Sequence, residues 1–303
     1  MNNYILRGEQ DVHLMRGLIE ELPRPTTIAD FEENMLVGSI RARTRIWEEA
    51  GQVIGFAYVD NFNNLWFEIK DGRQSEQLER EIIEWGVRCV QERNVETGED
   101  NSLDASLSAE NSWQIAILEK HGFEEDSFRT LRFGRSLDDP IRPYPFPVGF
   151  SLRCVEGEHE VERLVALHRA AFGTAKMTVE KRLAIMRGPA YERGMDLLAV
   201  APGGELAAFC ICSIEQEEDG SGRPIGYTDP IGTHPDYQGR GLGKAIVSAG
   251  MRMLKEKGAM AVFFGTSSEN VAMQGLGKSL GFECVAEKLW FSRKVGMVSV
   301  LRS

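Results

Sequence analysis

The sequence predicts a mixed α/β chain built twice, two domains in tandem, each a mixed sheet with helices packed on it. Three observations carry this expectation. The 303 residues are about twice the usual ~150-residue domain. An opening recurs, Tyr4-Ile5-Leu6-Arg7 in the first half and Phe150-Ser151-Leu152-Arg153 in the second, each followed by acidic residues and a helical stretch. A closing segment recurs as well: Leu118-Glu119-Lys120-His121-Gly122-Phe123 and Gly277-Lys278-Ser279-Leu280-Gly281-Phe282, with Asn111 and Asn270 ahead of them.

Taken in order, the opening strand of each half leads into an amphipathic helix, near 11–21 and 158–172, with apolar residues at three- and four-residue steps. Two strand-like runs around a turn come next, 45–58 through Ala50-Gly51 and 197–214 through Pro202-Gly203-Gly204. These early turns favour antiparallel pairing, whereas a later helix between strands favours a parallel pair. In the second half that helix runs from about Gly241 to Lys257, with Leu242, Ile246, Met253 and Leu254 for its buried side. Each closing helix ends in glycine, as a left-handed C-cap requires, and a strand with Phe follows. Between the halves, Pro140, Pro143, Pro145 and Pro147 forbid a helix or a central strand, so the stretch reads as a stiff linker. The expected domains are 1–136 and 148–303, joined by 137–147.

Composition narrows the function. A net charge of −11 argues against a broad nucleic-acid or anionic-membrane surface, although it leaves room for a local basic pocket. No apolar run approaches the ~18 residues of a membrane span, and the start lacks a signal-peptide centre, so a soluble cytoplasmic protein is expected. Five cysteines without a Cys-x-x-Cys pair or nearby His read as reduced thiols, and no metal site is expected. Cys210 and Cys212 alternate on one side of a strand, which suits core packing better than an active-site thiol.

The strongest chemical signal runs from Ile231 to Lys244: Ile231-Gly232-Thr233-His234-Pro235-Asp236-Tyr237-Gln238-Gly239-Arg240-Gly241-Leu242-Gly243-Lys244. Glycine costs up to ~1 kcal/mol in a helix interior relative to alanine, so three in five residues need another explanation. Without side chains they let a phosphate approach the free N–H groups of the first helical turn, where the helix dipole also favours negative charge. A Walker loop does not fit, because Gln238 stands where its first glycine belongs and Ala245 follows Lys244. The dinucleotide fingerprint fails too, with Lys244 in place of its third glycine.

What remains, Gln-x-x-Gly-x-Gly at Gln238, Gly241 and Gly243 after a strand and a Pro-containing turn, resembles the central motif of the GNAT superfamily of acetyl-CoA-dependent N-acetyltransferases. Asn270 followed by Leu280-Gly281-Phe282 resembles the family's next helix, so the likeness covers most of 224–292. The resemblance implies two tandem GNAT-like domains and acetyl-CoA as co-substrate. Its pyrophosphate would be held by N–H groups around Gln238, Gly239, Arg240, Gly241, Leu242, Gly243 and Lys244, and its pantetheine arm by backbone groups at Ile231, Gly232 and Thr233 along a splayed strand. Asn270 would help position it.

The first half keeps the plan but not the chemistry. Setting Leu78 against Leu242 and Ile82 against Ile246 puts Glu76, Gln77 and Glu79 opposite Arg240, Gly241 and Gly243. Side chains there block the backbone, and carboxylates repel a pyrophosphate by roughly a kcal/mol or more. This half is expected to be a degenerate GNAT-like domain that does not bind the cofactor in this manner.

Acyl transfer to an amine needs a proton acceptor and favours a proton donor for the thiolate. Candidates for the base are Asp229, equally readable as a turn residue before Pro230, His234, which next to Pro235 also reads as shaping the turn, and Glu215, which reads better as a solvated strand end. Gly277 occupies the position where many family members carry a donor tyrosine, which leaves water, the backbone or Tyr227 for that role. The expected function is N-acetylation of a small-molecule or peptide amine. The alternative is a non-catalytic acyl-CoA-binding or interaction protein.

Overall fold

The structure, a computed structural model, describes residues 1–22, 28–216 and 222–296. It divides into two compact units, Met1–Arg129 together with the segment from Lys288, and Thr130–Glu287.

The first unit opens with β1 (Asn2–Ile5), α1 (Glu9–Glu21), α2 (Ile28–Met35) and α3 (Gly38–Arg41). β2 (Thr44–Glu49), β3 (Gln52–Val59) and β4 (Leu65–Ile69) extend β1 into an antiparallel sheet in chain order. The β2–β3 turn falls at Ala50 and Gly51, both with positive φ. α4 (Glu76–Thr97) buries Leu78, Ile82, Ile83, Trp85, Cys89 and Val90, a three-and-four spacing that makes one apolar stripe. It starts at Ser75, whose hydroxyl accepts the N–H of Leu78, and stops at left-handed Gly98. β5 (Ser102–Ser108) meets β4 at a parallel bridge between Asn64 and Asp104, and α5 (Ser112–Lys120) follows.

The second unit takes up the chain within β6 (Glu124–Ser136). It continues through β7 (Ser151–Cys154), α6 (Val161–Phe172), α7 (Val179–Arg187), β8 (Asp196–Val200), β9 (Leu206–Gln216) and β10 (Pro224–Thr233). α8 (Leu242–Glu256), β11 (Ala261–Ser267), α9 (Val271–Ser279) and β12 (Glu283–Lys294) complete the order. Its strands lie β7-β8-β9-β10-β11-β6, antiparallel except at β10–β11, where α8 makes the parallel crossover. Strand alternation sorts the core into two layers. Cys210, Cys212, Phe133, Phe264 and Phe282 pack with α8, while Phe209 and Ile211 turn to α6. Its neighbour Cys212 and burial hold the Cys210 thiol well above the usual range, so Cys210 is a protonated core thiol.

Sheet membership does not follow the proline-rich stretch. The part of β6 from Thr130 pairs with β11 in the second unit, and the part of β12 from Lys288 pairs with β5 in the first. Residues 137–147 are not a free spacer either: Ile141, Tyr144 and Phe146 pack on the second unit's core, and Ser248 of α8 donates to the Arg142 carbonyl. Composition marked where regular structure stops, whereas the backbone pairing of the flanking strands decides which unit each joins. Among the described residues no helix is long and apolar enough to cross a membrane.

His168 on α6 stacks between Phe172 and Phe209, with ring centroids 4.5 and 5.6 Å away. Burial, aided by Arg182, lowers its pKa to about 4. Between the unfolded value near ~6.5 and that figure the unfolded chain binds the extra proton. Stability is therefore complete above the upper value and falls as pH drops through this window, by ~2 kcal/mol once partial exposure is discounted. Urea melts across the window are expected to show that slope, and His168→Phe, which keeps the ring stack, is expected to flatten it.

Candidate functional site

β10 accompanies β11 only at its beginning. Ile225, Gly226 and Tyr227 pair with Ala261, Val262 and Phe263, and the pairing stops there although both strands continue. On its other edge β10 stays with β9, apart from an irregularity between Thr228 and Ile231 that contains the cis Asp229-Pro230 peptide. The His234 N–H bonds the Ala207 carbonyl at 2.9 Å, so by alternation Gly232 also faces β9. The N–H and C=O groups of Ile231 and Thr233 therefore face the side on which β11 is no longer paired. In agreement, the Thr233 carbonyl accepts from Gln238 Nε2 at 3.2 Å, not from β9.

The chain then turns through Pro235–Tyr237 into the N-terminus of α8. Gly239 and Gly241 have φ of 73° and 85°, a region that side chains disfavour, and a Cβ at either would meet no atom within 4 Å. Gly241 caps α8 with no side-chain bond, and the first bond into the helix is Ala245 N–H to Gly241 C=O. Leu242, Gly243 and Lys244 thus present N–H groups with no acceptor inside the helix. Gly243 has a further reason to be glycine, because a Cβ there would lie 2.6 Å from Leu276 of α9. Arg240 donates to the Asp236 carbonyl at 3.1 Å, which holds its charge at the turn, and the Lys244 ammonium lies 5.9 Å from the Tyr144 ring centre.

The equivalent place in the first unit is closed. Ser75 satisfies the α4 terminus, and Glu76 and Glu79 both hold Lys120, at 3.0 and 3.2 Å. Gln114 of α5 donates to the carbonyl of Phe67, the β4 residue that stands opposite Ile231 when Leu78 is set against Leu242.

The four candidate catalytic residues are placed differently. Asp229 Oδ2 accepts the N–H of Gly265 at 2.9 Å, so this carboxylate spans from β10 to β11 where their ladder ends. Glu215 pairs opposite Ile225, eight residues or ~26 Å of strand from Thr233, and is not brought to the turn. His234 Nδ1 accepts the Asp236 N–H at 3.2 Å and shapes the turn. Tyr227 Oη accepts from Arg132 at 2.9 Å. Asn270 Oδ1 caps α9 through the Met273 N–H at 3.0 Å. Gly277 is enclosed: a Cβ would lie 2.5 Å from the Phe264 ring, which fills the space a larger residue would need. Arg132 was missed because no local motif marks it; β6 reaches the site only through its pairing with β11. Among the described residues Glu156, His159 and Glu160 also gather, but Glu160 is engaged by both terminal nitrogens of Arg153.

The model of the acetyltransferase (GNAT) family matches residues 162–282, which take in the β10 splay, the glycine turn and α9. The likeness to that family lies in the second unit. Curated relatives include the mycothiol acetyltransferases of Renibacterium salmoninarum, 28% identical over 60% of this chain and 55% of that one, and of Arthrobacter sp., 32% identical over 45% and 43%. The chain thus spans about half the length of the curated relatives it matches. Two solved structures share the whole architecture, a GCN5-related N-acetyltransferase from Sphaerobacter thermophilus and a tandem GNAT protein from the clavulanic acid biosynthesis pathway. Their TM-scores are 0.65 and 0.63 at 15% and 16% identity, and each match covers 96% of this chain and 95% of the other. The fold is therefore that of a tandem GNAT protein.

At position 277 the packing, as well as the sequence, excludes a tyrosine. Gly277→Tyr is expected to lower stability by ~1–3 kcal/mol, the usual cost of overpacking, without raising turnover. Chemical denaturation checks the first part and a thiol-release assay the second.

Proposed function

We propose that the second unit binds acetyl-CoA and transfers its acetyl group to a primary amine of a small molecule or peptide by direct attack on the thioester. The observation that carries this reading is the meeting, at the end of β10, of outward backbone groups from Ile231 and Thr233 with an uncapped, side-chain-free helix terminus. A pyrophosphate suits the N–H groups of Gly241 to Lys244, reinforced by the helix dipole and by Arg240 and Lys244. The pantetheine amides suit the unpaired edge of β10, which offers a donor and an acceptor at every second residue. The N–H of Ile231 or Thr233 is the fitting donor for the thioester oxygen as negative charge develops on it. Relatives named as acetyltransferases support acetyl as the group transferred.

In the step itself the amine nitrogen bonds the acetyl carbon, the carbon–sulfur bond breaks, CoA leaves as its thiolate, and the proton lost by the amine passes to solvent. Gly277 supplies no proton donor, whereas Tyr227 Oη accepts from Arg132 and keeps its own O–H. Asp229 serves this reading best as a strut, since its carboxylate joins β10 to Gly265. A rival reading, acyl-CoA binding without transfer, draws its support from the enclosed Gly277.

Calorimetry with acetyl-CoA is expected to give one site per chain, because the corresponding turn of the first unit is capped by Ser75 and carries Glu76 and Glu79. Gly241→Glu is expected to weaken binding at least ~10-fold through charge repulsion; unchanged affinity sinks the assignment of the turn. Thiol release on an amine panel separates transfer from mere binding. Asp229→Asn keeps an oxygen for the Gly265 N–H, so its turnover is expected within a few-fold of the parent, while Asp229→Ala loses the strut and about tenfold in acetyl-CoA affinity. A large loss in Asp229→Asn would instead make Asp229 the base.

A further inference from the structure

The proline-rich stretch flanks the helix end to which the pyrophosphate was assigned. It is laid along α8 in the opposite direction, with Lys255 Nζ donating to the Asp138 carbonyl at 3.3 Å and Ser248 Oγ to the Arg142 carbonyl at 2.7 Å. Four residues of the stretch thus accompany seven of the helix, ~12 Å of extended chain beside ~10.5 Å of α-helix. Pro140, Pro143, Pro145 and Pro147 favour that extended course and present no N–H groups that would need partners. Two residues beyond Arg142 the ring of Tyr144 arrives beside the first turn of α8, where the Lys244 ammonium lies 5.9 Å from its centre.

Cations collect at this place. The Arg142 guanidinium lies 5.3 Å from the Tyr144 ring centre, and at the turn the Arg240 guanidinium lies 5.4 Å from that of Tyr237. Among the described residues none of Arg142, Arg240 and Lys244 forms an ion pair. In a chain with 46 acidic residues against 35 basic ones, three cations about one helix end without a carboxylate partner are a local excess. Packing does not require it, since Arg142 is exposed and Lys244 half-buried. A tyrosine ring also holds an exposed cation more weakly than a charge-assisted hydrogen bond would. Arg142 and Lys244 are therefore stationed at Tyr144 with their bonding capacity unspent.

The two sides of the helix end differ. Leu276 of α9 lies against Gly243, whereas Lys244, Ser248 and Lys255, which meet the proline-rich stretch, stand ~100–140° further round the helix. A ligand that follows the open edge of β10 and turns across the first N–H groups of α8 has α9 on one side and the Tyr144 cations on the other. Lys244 belongs to both places, with its N–H in the first turn and its ammonium towards Tyr144.

We propose that Arg142 and Lys244, gathered at the Tyr144 ring, form a subsite for a phosphate monoester: the 3′-phosphate on the ribose of CoA, one sugar away from the pyrophosphate. Such a group carries close to two negative charges at neutral pH, which two cations on separate elements match, and the arginine fork offers paired donors to its oxygens. The stretch between the halves is then a wall of the cofactor site. This rests on the reading of the second unit as a CoA site and adds what recognises the nucleotide end.

Calorimetry with CoA and with dephospho-CoA, which lacks only the 3′-phosphate, tests it on the full chain. Wild-type protein is expected to prefer CoA by at least ~10-fold, the scale of one charge-assisted contact. Arg142→Gln is expected to remove most of that preference, with the loss falling on CoA, and Arg142→Lys to keep part of it. The Ser248 bond goes to the backbone of Arg142, so these variants keep the course of the stretch. Equal affinity of the wild type for the two ligands, or a preference unaltered in Arg142→Gln, overturns the subsite. If CoA still binds and Gly241→Glu weakens it, the cofactor reading survives that failure. No binding of CoA at all overturns both. The measurement needs no turnover, so a preference for CoA that is lost in Arg142→Gln establishes the subsite even if no amine is acetylated.

Discussion

The second unit depends on one backbone constraint: a strand that leaves its neighbour must find other partners for its N–H and C=O groups, or present them to something that will bond them. β10 leaves β11 after Tyr227. Pro230 lessens the demand at the point of departure by having no N–H, and Asp229 answers the Gly265 N–H on the other side. Beyond them Ile231 and Thr233 keep backbone groups on the abandoned edge, where among the described residues the Thr233 carbonyl takes a bond from Gln238. The turn that follows compounds the effect, because it delivers the chain into a helix whose first N–H groups are also unanswered. Two sets of unsatisfied donors in sequence, one along a strand and one around a helix end, describe the length and polarity of a ligand better than any single residue does.

The first unit meets the same constraint and resolves it from within. β4 and β5 touch at a single parallel bridge, Asn64 to Asp104, so this sheet opens as well. Here Gln114 reaches from α5 to bond the Phe67 carbonyl, Asn111 bonds Gln114 in turn, and the Ser75 hydroxyl takes the Leu78 N–H. Each is an ordinary hydrogen bond of roughly 1 kcal/mol net. Together they replace what a ligand would supply. Backbone demand is thus met by side chains in the first unit and, in the reading proposed above, left for acetyl-CoA in the second.

Much of this was legible beforehand because it rests on local rules. Positive φ at Gly239 and Gly241, the glycine ends of the helices and the apolar stripe of α8 are consequences of residue type at fixed spacing. The parallel β10–β11 pair followed from a helix between two strands. Other features depended on tertiary register. That Asp229 bonds Gly265, and that Glu215 sits some eight residues from the turn, follow from which strands adjoin and where their ladder stops. Gly277 was visible as a missing tyrosine, but the Phe264 ring that closes the space was not. The proline-rich stretch was the most misleading element. Its composition forbids regular structure, yet Tyr144 and Phe146 are partly buried anchors and Ser248 holds its backbone. Hydrophobic residues between prolines were the available hint.

The crossing of the closing strands bears on how such a chain can be divided or inherited. A fragment ending at residue 136 would lack residues 288–294 and leave β5 with a bare edge; one beginning at residue 148 would lack residues 130–136 and bare the edge of β11. Open edges of this kind recruit other chains, so neither half is a natural unit of expression or of recombination.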